Sequence, residues 1–306
     1  MSTGIPFHIG VDLGGSSVKA VAVGRDGTLL GSLNLAFQDR NREWADRVDE
    51  AVRRLSSDHG TPEGIGLSAP GLASPDERSI AFMPGRLLGL EGLDWTRRLG
   101  APRPVPVLND AHAALLGEAW IGSAAGVRNV FLLTLGTGVG GAALVDGRLL
   151  KGHIGRAGHL GHITVDFEGE LDDVGTPGSV ESEIGNKTLR KRCGDRYANT
   201  HALVAAVEAG DPEARRLWNR SVQALAAAIA SLVNVLDPEV VLLGGGIARA
   251  GRTLLDPLEV HLDRFEWRPG GQRVRLALAT LGDLAGAYGS AFNSIRRTPP
   301  FPGAEQ

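Results

Sequence analysis

The chain has 306 residues, which exceeds the length at which one hydrophobic core usually keeps growing, so two domains are expected. Its net charge of −3 argues against a nucleic-acid or membrane-surface partner, since either would favour a basic face. No apolar run reaches the roughly 18 residues of a membrane span, and the first six residues lack a secretion signal, which favours a cytoplasmic protein. Cys193 is the only cysteine, which excludes an internal disulfide and a cysteine-rich metal site.

A glycine turn between two apolar runs is the first clear pattern along the chain. Residues 7–31 read as strand, glycine turn, strand, Asp-Gly hairpin and strand, because β-prone runs alternate with residues that tolerate positive φ. Glycines in such a turn let the backbone approach phosphate oxygens closely. The candidate phosphate-contacting residues here are Asp12, Gly14, Gly15, Ser16 and Lys19.

The next segments predict a helix, two buried strands and a second helix. Val48–Leu55 has helical spacing, whereas Gly64–Ser68 and Val105–Leu108 read as buried strands that end in polar residues. Asn109–Glu118 begins with cap-forming residues and continues as a helix. Asp110 therefore lies at a strand-to-helix junction, where ligands of open α/β sheets usually bind.

The pattern of residues 7–31 recurs at residues 130–152, with a turn that contains Gly136, Thr137 and Gly138. Two such hairpins facing each other across a cleft would offer two sets of backbone N–H groups to a polyphosphate. The duplication thus indicates an ATP-dependent phosphotransferase. Either turn alone is also typical of an ordinary hairpin.

The last third of the chain predicts a loop, a long helix and a buried strand. Phe167–Gly185 is rich in acidic residues and glycines and reads as an irregular loop, and residues 298–306 as a loose tail. Leu225–Leu236 has one apolar face and ends before Asp237-Pro238. Val240–Leu243 then leads into three glycines that would let an adenosine lie flat against the backbone, or that form a ligand-free turn: Gly244, Gly245 and Gly246.

Together these motifs resemble a known family. The three glycine segments look like the first phosphate, second phosphate and adenosine motifs of the sugar kinase, hsp70 and actin superfamily. Asn109-Asp110 before an alanine-rich helix, and the segment 157–166, resemble the ROK family of bacterial sugar kinases. The resemblance implies an α/β, two-domain actin-like ATPase (ribonuclease H-like) fold with an interdomain cleft, and a homodimer. The expected domains are residues 1–111 plus 285–306, and residues 112–284.

The family resemblance also implies the chemistry. A sugar hydroxyl has a high pKa, so its phosphorylation benefits from a carboxylate that accepts the proton. Asp110 corresponds to the catalytic aspartate of the family, and the alternative is that it only caps a helix. ATP is the expected donor. Asp12 would position Mg²⁺ or its water shell, because a carboxylate near phosphates requires a cation between them. Lys19 contacts phosphate or faces solvent.

The expected acceptor site combines residues that match the family with one that departs from it. His159 occupies the position of a family glutamate, and an imidazole cannot chelate two hydroxyls as a carboxylate does. The other acceptor-binding candidates are Pro70, Gly71, Asn109, Asp110, His162 and Glu181. The alternative for the two histidines is a packing or solvent role.

A second departure concerns the zinc-binding cysteines of the family, whose positions hold Asp172, Val174 and Ser179. A valine cannot bind a metal, so no zinc is expected. His162 would then be free to hydrogen-bond the acceptor or Glu181.

These departures favour an acceptor other than glucose: a hexose variant, an amino sugar or a C7-cyclitol of antibiotic biosynthesis. Glucokinase proper and a non-catalytic ROK-type sugar sensor are the alternatives, and polyphosphate stays open as a donor. A transcriptional regulator of this family would need a DNA-binding module before the first phosphate motif, and about eleven residues precede Asp12.

Overall fold

The computed structural model describes residues 6–298, so the predicted tail from residue 299 onward lies outside the described residues. The strands are β1 Phe7–Leu13, β2 Ser17–Gly24, β3 Leu29–Ala36, β4 Gly64–Ala69, β5 Leu72–Ala73, β6 Ile80–Phe82, β7 Val107–Asn109, β8 Val130–Leu135, β9 Val139–Val145, β10 Arg148–Leu149, β11 Val240–Gly244 and β12 Arg275–Leu278. The α-helices are α1 Glu43–His59, α2 Trp95–Arg98, α3 Asp110–Ile121, α4 Val180–Ile184, α5 Asn186–Arg192, α6 Thr200–Glu208, α7 Pro212–Leu236, α8 Arg252–Phe265 and α9 Ala285–Arg297. Among these residues, no helix has the length and apolar character needed to cross a membrane.

Two five-stranded sheets share one topology. Their strand orders are β3-β2-β1-β4-β7 and β10-β9-β8-β11-β12. In each sheet an antiparallel hairpin, β1–β2 or β8–β9, is followed by parallel strands. The duplication predicted from the two glycine turns is therefore a duplication of the fold.

The chain forms two compact units. The first comprises residues 1–126, 151–157 and 281–306, and the second comprises residues 127–150 and 158–280. The first has a core between its sheet and α1 that contains the buried Trp44 and Trp95, and the second has a core in which α7 covers β8 and β11. The first unit includes α3, which packs on α9, so it extends past the domain limit expected after residue 111. The limits expected for the functional domains stay a prediction.

Helix α9 lies against both the sheet of the first unit and α3, and small residues form the contacts. A Cβ atom at Gly10 of β1 would lie 1.9 Å from the carbonyl oxygen of Ala287, and one at Gly66 of β4 would lie 1.9 Å from that of Ser290. On the α3 side, a Cβ at Gly289 would lie 1.7 Å from the carbonyl oxygen of Ala113. Backbone therefore packs directly on backbone, which fixes the position of α9.

The segment Phe167–Gly185 differs from its prediction as an irregular loop. It contains α4, whose first turn is capped by the Ser179 hydroxyl, which accepts from the Ser182 N–H. Val180 and Ile184 lie four residues apart and are both buried. Two of the acidic residues that suggested a loop, Glu181 and Glu183, lie in the first turn of this helix, where the helix dipole favours negative charge.

We expect Gly289→Ala to destabilise the protein by about 3 kcal/mol, the upper part of the range for overpacking, because the added methyl group meets backbone that cannot rotate away. Urea unfolding monitored by circular dichroism measures this change. The control is Gln223→Ala on the exposed face of α7, which should leave the unfolding midpoint nearly unchanged. A Gly289→Ala protein as stable as the control would contradict the close packing.

Candidate active site

The first predicted phosphate turn is the tight connection between β1 and β2. Gly14 N–H donates to the Ser17 carbonyl oxygen at 2.9 Å, and Asp12 lies opposite Lys19 across the hairpin. Gly14 and Gly15 are half-buried, and Ser16 is exposed. The structure thus places all five candidates of this motif on one hairpin.

The glycines of the two phosphate turns do not use the positive φ that glycine tolerates. Positive φ occurs in the Asp-Gly hairpins, at Gly27 and Gly147, and at Gly245 of the third glycine run, but not at the turn glycines. What these turns require instead is space: a Cβ at Gly15 would lie 2.4 Å from the Arg86 guanidinium, and one at Gly138 would lie 2.1 Å from the Glu181 carboxylate. The predicted approach of phosphate to these glycines stays a prediction.

The carboxylate of Asp12 lies at the end of β1, above the first turn of α9. Ser68, at the same end of β4, donates its hydroxyl to Oδ1 of Asp12 at 2.7 Å. A Cβ at Gly286 would lie 2.6 Å from the Asp12 carboxyl carbon, so glycine is needed there. The pKa of Asp12 is raised to about 6, mainly because the carboxyl group is buried and to a smaller extent because the Asp110 carboxylate lies near, while the Ser68 hydrogen bond and the Lys19 charge oppose this rise.

Asn109 and Asp110 form the junction between β7 and α3. The Asn109 side-chain oxygen caps α3 by accepting from the N–H groups of Ala111, at 2.9 Å, and His112, while its amide donates to the Gly71 carbonyl oxygen at 3.0 Å. Gly71 follows Pro70 and has φ +101°, a turn conformation, just after the end of β4. The hydrogen bond from Asn109 therefore holds this turn in place. Asn109 is thus the helix cap, and its predicted contact with acceptor hydroxyls stays a prediction.

Asp110 is the first residue of α3 and retains an exposed surface. Its Oδ1 accepts from the Ala111 N–H at 2.8 Å. Desolvation by surrounding protein raises its pKa, against the hydrogen bonds that Ala111 and Asn109 donate. A carboxylate in this setting is a stronger base than one in water.

The second phosphate turn belongs to the second unit. Gly136 N–H donates to the Gly138 carbonyl oxygen at 2.9 Å, and the N–H groups of Asn186 and Lys187, at the start of α5, donate to the carbonyl oxygens of Gly136 and Thr137. Glu181 of α4 accepts from the N–H of Val139 at 2.9 Å, directly after the turn. The turn is therefore held by α4 and α5, which sequence reasoning had not connected to it.

A cavity of about 640 Å³ in the second unit brings together two of the predicted motifs. Gly136 and Thr137 line it with Gly246, and an added Cβ at Gly136 or Gly246 would meet no protein atom within 4 Å. Packing inside the protein therefore does not require glycine at these two positions. Other residues that line the cavity were missed in the sequence: Asn186, Asn199, Thr200, His201 and Arg249.

The Asn186 side chain organises one wall of this cavity. Its oxygen accepts from the N–H of Thr200 at 2.8 Å and from the Thr200 hydroxyl at 3.0 Å. Asn199 caps α6 by accepting from the Ala202 N–H. The Asn199-Thr200 pair before an apolar run was the signal that could have identified this helix start.

Of the two candidate histidines, His159 precedes the turn Leu160–His162 and His162 is its last residue. His159 is half-buried before this turn. The Nδ1 atom of His162 lies 2.8 Å from Oδ2 of Asp172, and the Val174 and Thr176 N–H groups donate to the other oxygen of Asp172. Burial opposes ionisation of Asp172, but these hydrogen bonds outweigh it and lower its pKa. Asp172 thus engages the Nδ1 atom of His162, and the predicted hydrogen bond from His162 to the acceptor or Glu181 stays a prediction.

The hydrogen bond between His162 and Asp172 lies where the family resemblance predicts zinc ligands. Asp172 stands in place of one expected cysteine, the Val174 side chain is exposed, and Ser179 caps α4. Within residues 6–298, no group of three or more His, Cys, Asp or Glu side chains is arranged to hold a metal ion. The expected lack of zinc stays a prediction.

The raised pKa of Asp12 predicts a pH-dependent stability. Below about pH 4 the carboxyl group is protonated in both the folded and the unfolded chain. Between about pH 4 and pH 6 the unfolded chain releases this proton while the folded protein keeps it, so the folded protein loses stability over this range, and above about pH 6 the loss is complete. Asp12→Asn avoids this charge, so without divalent cations it should exceed the original protein in unfolding free energy by as much as about 3 kcal/mol at pH 8, and by almost nothing at pH 4. Urea unfolding in EDTA at both pH values measures the difference. Equal stability at pH 8 would contradict it.

Comparisons with known proteins agree with this architecture. The model of the ROK family matches residues 8–295. The chain is 31% identical to a glucokinase of Halalkalibacterium halodurans, covering 94% of both chains, and 32% identical to a beta-glucoside kinase of Klebsiella pneumoniae, covering 94% of this chain and 96% of that one. A ROK family glucokinase from Streptomyces griseus, solved with glucose and AMPPNP, has a TM-score of 0.79 at 27% identity over 95% of this chain and 99% of that chain. The chain therefore belongs to the ROK family and has the two-domain actin-like ATPase fold of its sugar kinases.

Proposed function

We propose that this sugar kinase transfers the γ-phosphoryl group of ATP to a hydroxyl of a hexose-like sugar, an amino sugar or a C7-cyclitol, with Asp110 as the general base. The observation that carries the proposal is the common edge formed by β1, β4 and β7. These parallel strands carry Asp12 and Ser68 one residue before the ends of β1 and β4 and Asn109 at the end of β7, and Asp110 follows at the start of α3. Ligands of α/β sheets bind at this edge.

The proton transfer follows from the setting of Asp110. As the acceptor oxygen bonds to the γ-phosphorus atom, its proton needs a base within hydrogen-bond reach. The raised pKa of Asp110 brings its basicity closer to the pH at which the enzyme works. Its exposed surface leaves the carboxylate accessible to an acceptor, while the Ala111 N–H donates to Oδ1.

The cavity of the second unit supports ATP as the donor. Its two unobstructed glycines, Gly136 and Gly246, leave room for phosphate and adenosine groups against the backbone. The related Streptomyces griseus glucokinase was solved with AMPPNP, a nonhydrolysable ATP analogue. We assign the nucleotide contacts to Gly14, Gly15, Ser16, Lys19, Gly136, Thr137, Gly138, Gly244, Gly245 and Gly246.

The neighbouring carboxylates of Asp12 and Asp110 fit a divalent cation. Burial raises the pKa of each, and Asp110 also raises the pKa of Asp12, so a cation near them would relieve both desolvation and repulsion. Oxygen donors of this kind suit Mg²⁺. Asp12 would hold it, directly or through water, and the ion would neutralise the charge of the phosphates.

For the acceptor, we assign Pro70, Gly71, Asn109 and Asp110 in the first unit, and His159, His162 and Glu181 in the second. Asn109 supports the Pro70-Gly71 turn through its bond to the Gly71 oxygen. His159 is the residue that favours an acceptor other than glucose, because an imidazole accepts from one hydroxyl only. Glucokinase proper is the second candidate function, favoured by the relatives that bear that name.

An acceptor panel with coupled detection of ADP tests the function. It compares glucose, N-acetylmannosamine, glucosamine, a β-glucoside and a C7-cyclitol. Acceptor-dependent ADP release supports a kinase, and the highest kcat/KM identifies the acceptor class. ADP release that no acceptor stimulates, together with intact binding of sugars, would point to a sensor.

We expect Asp110→Asn to lower kcat on the best acceptor by about 10²–10⁴-fold, because the amide keeps the shape but accepts no proton. Nucleotide affinity, measured by calorimetry, should stay within about threefold of the original. Asp58→Asn, at an exposed position in α1, is the matched control and should keep full activity. Turnover near the original value in Asp110→Asn would refute the general base.

We expect His159→Glu to raise kcat/KM for glucose relative to the native acceptor by about 10-fold, because a carboxylate gains one charge-assisted hydrogen bond to paired hydroxyls. Activity on the native acceptor should fall. His153→Glu, at an exposed histidine nearby in the sequence, controls for the added charge. If glucose is already the best acceptor of the original protein, the specificity argument fails.

A further inference from the structure

Arg86 lies in the loop after β6, and neighbouring contacts hold its position. The next residue, Leu87, is 1% exposed and has φ +50°, so it packs into the core in a restricted backbone conformation. The Leu87 N–H also donates to the Asp39 carboxylate at 3.0 Å. The exposed side chain of Arg86 therefore extends from a fixed point of the backbone.

The guanidinium of Arg86 lies on the first phosphate turn. Its NH2 nitrogen donates to the Gly15 carbonyl oxygen at 2.9 Å. A Cβ at Gly15 would lie 2.4 Å from this nitrogen and 3.1 Å from the Cζ and NH1 atoms, so the whole group covers the glycine. The absence of a side chain at Gly15 is what lets the cation come this close.

The charge of Arg86 has no counterion within residues 6–298. Two other arginines of the first unit pair with carboxylates, Arg78 with Asp94 and Arg98 with Asp49. Arg86 makes one hydrogen bond, to an uncharged oxygen, and a guanidinium has five N–H donors. Its remaining donors form a planar fork of the kind that binds phosphate in a bidentate manner.

We propose that Arg86 is a further catalytic residue, which binds the transferred phosphoryl group at the first phosphate turn. This inference rests on the proposed kinase function. In the transfer, the acceptor oxygen bonds to the γ-phosphorus atom, the bond from that atom to the bridging oxygen of ADP breaks, and the acceptor proton goes to Asp110. Arg86 exchanges no proton and stabilises the charge on the phosphoryl oxygens, as arginines do in other phosphoryl transferases.

The competing explanation is that Arg86 only braces the turn through the Gly15 oxygen. If Arg86 only supports the turn, its removal should weaken the binding of all nucleotides equally. If Arg86 binds the transferred phosphoryl group, its removal should weaken the binding of nucleotides with a γ-phosphate more than that of nucleotides without one. Arg86→Met keeps much of the aliphatic stem and removes the charge, and Arg86→Lys keeps the charge and removes the fork. Arg40→Met is the control, an exposed arginine of another loop in the same unit.

The experiment measures kcat on the best acceptor, the Kd values of ADP and of AMPPNP by calorimetry, and the thermal midpoint. We expect Arg86→Met to lower kcat by about 10²–10³-fold and to weaken AMPPNP by about 10-fold or more, with ADP within about threefold. Arg86→Lys should fall between this variant and the original, because a point charge replaces the fork, and Arg40→Met should match the original.

Unchanged kcat in Arg86→Met would overturn the proposal. So would an equal loss of ADP and AMPPNP affinity with a lower thermal midpoint, which is the signature of a brace. An original protein that phosphorylates no acceptor would refute the kinase function instead, and in that case the AMPPNP-to-ADP affinity ratio still decides whether Arg86 binds a γ-phosphate. If Arg86→Met does not fold, the same ratio is read from Arg86→Lys.

Discussion

The direct contact of helix α9 with backbone on two sides is the constraint on which the arrangement of the first unit depends. Because Gly10 and Gly66 have no side chain, α9 packs closely on the sheet, and because Gly289 has none, α3 packs closely on α9. The same approach places Gly286 beneath the carboxylate of Asp12. Any side chain at these glycines would displace α9 and, with it, the packing that supports Asp12 and Asp110.

The candidate site holds charges of both signs that neighbouring groups neutralise only in part. Asp12 and Asp110 repel each other at one edge of the sheet, with only the Ser68 hydroxyl and the charge of Lys19 opposing the rise in the pKa of Asp12. Arg86 adds an unbalanced positive charge on the neighbouring turn. A protein that holds unneutralised charges of both signs loses some stability without ligand, and binding of a metal nucleotide would recover it.

Periodic patterns of apolar residues in the sequence predicted most strands and the long helix, whereas contacts between individual side chains could not be predicted from the sequence. The strands around both glycine turns, the long helix α7 and the strand β11 follow from local patterns of apolar residues. Helix α4 was missed because it spans only five residues and its acidic first turn resembles a loop. The His162–Asp172 bond joins side chains ten positions apart through a segment without periodicity, and no local pattern signals it.

The glycines illustrate the same limit. A glycine in the sequence can serve a positive φ, a close approach or a ligand, and the letters are the same in each case. Gly71 has the first role, Gly15 the second, and Gly136 has open space in front of it. Only the three-dimensional structure distinguishes these roles, because the residues that surround each glycine come from distant parts of the chain.

The division of the chain into units has a consequence for any attempt to separate them. The first unit includes residues 151–157, whose flanking segments belong to the second, so the backbone passes between the units four times. Within that short segment, Lys151 pairs with Glu77 and the Ala157 carbonyl oxygen bonds to the His112 ring. Neither unit is a continuous piece of the gene. A truncation that ends inside either unit deletes part of the structure of that unit. A protease that cuts one of the four connections between the units leaves the other three connections intact, so the two units stay covalently linked.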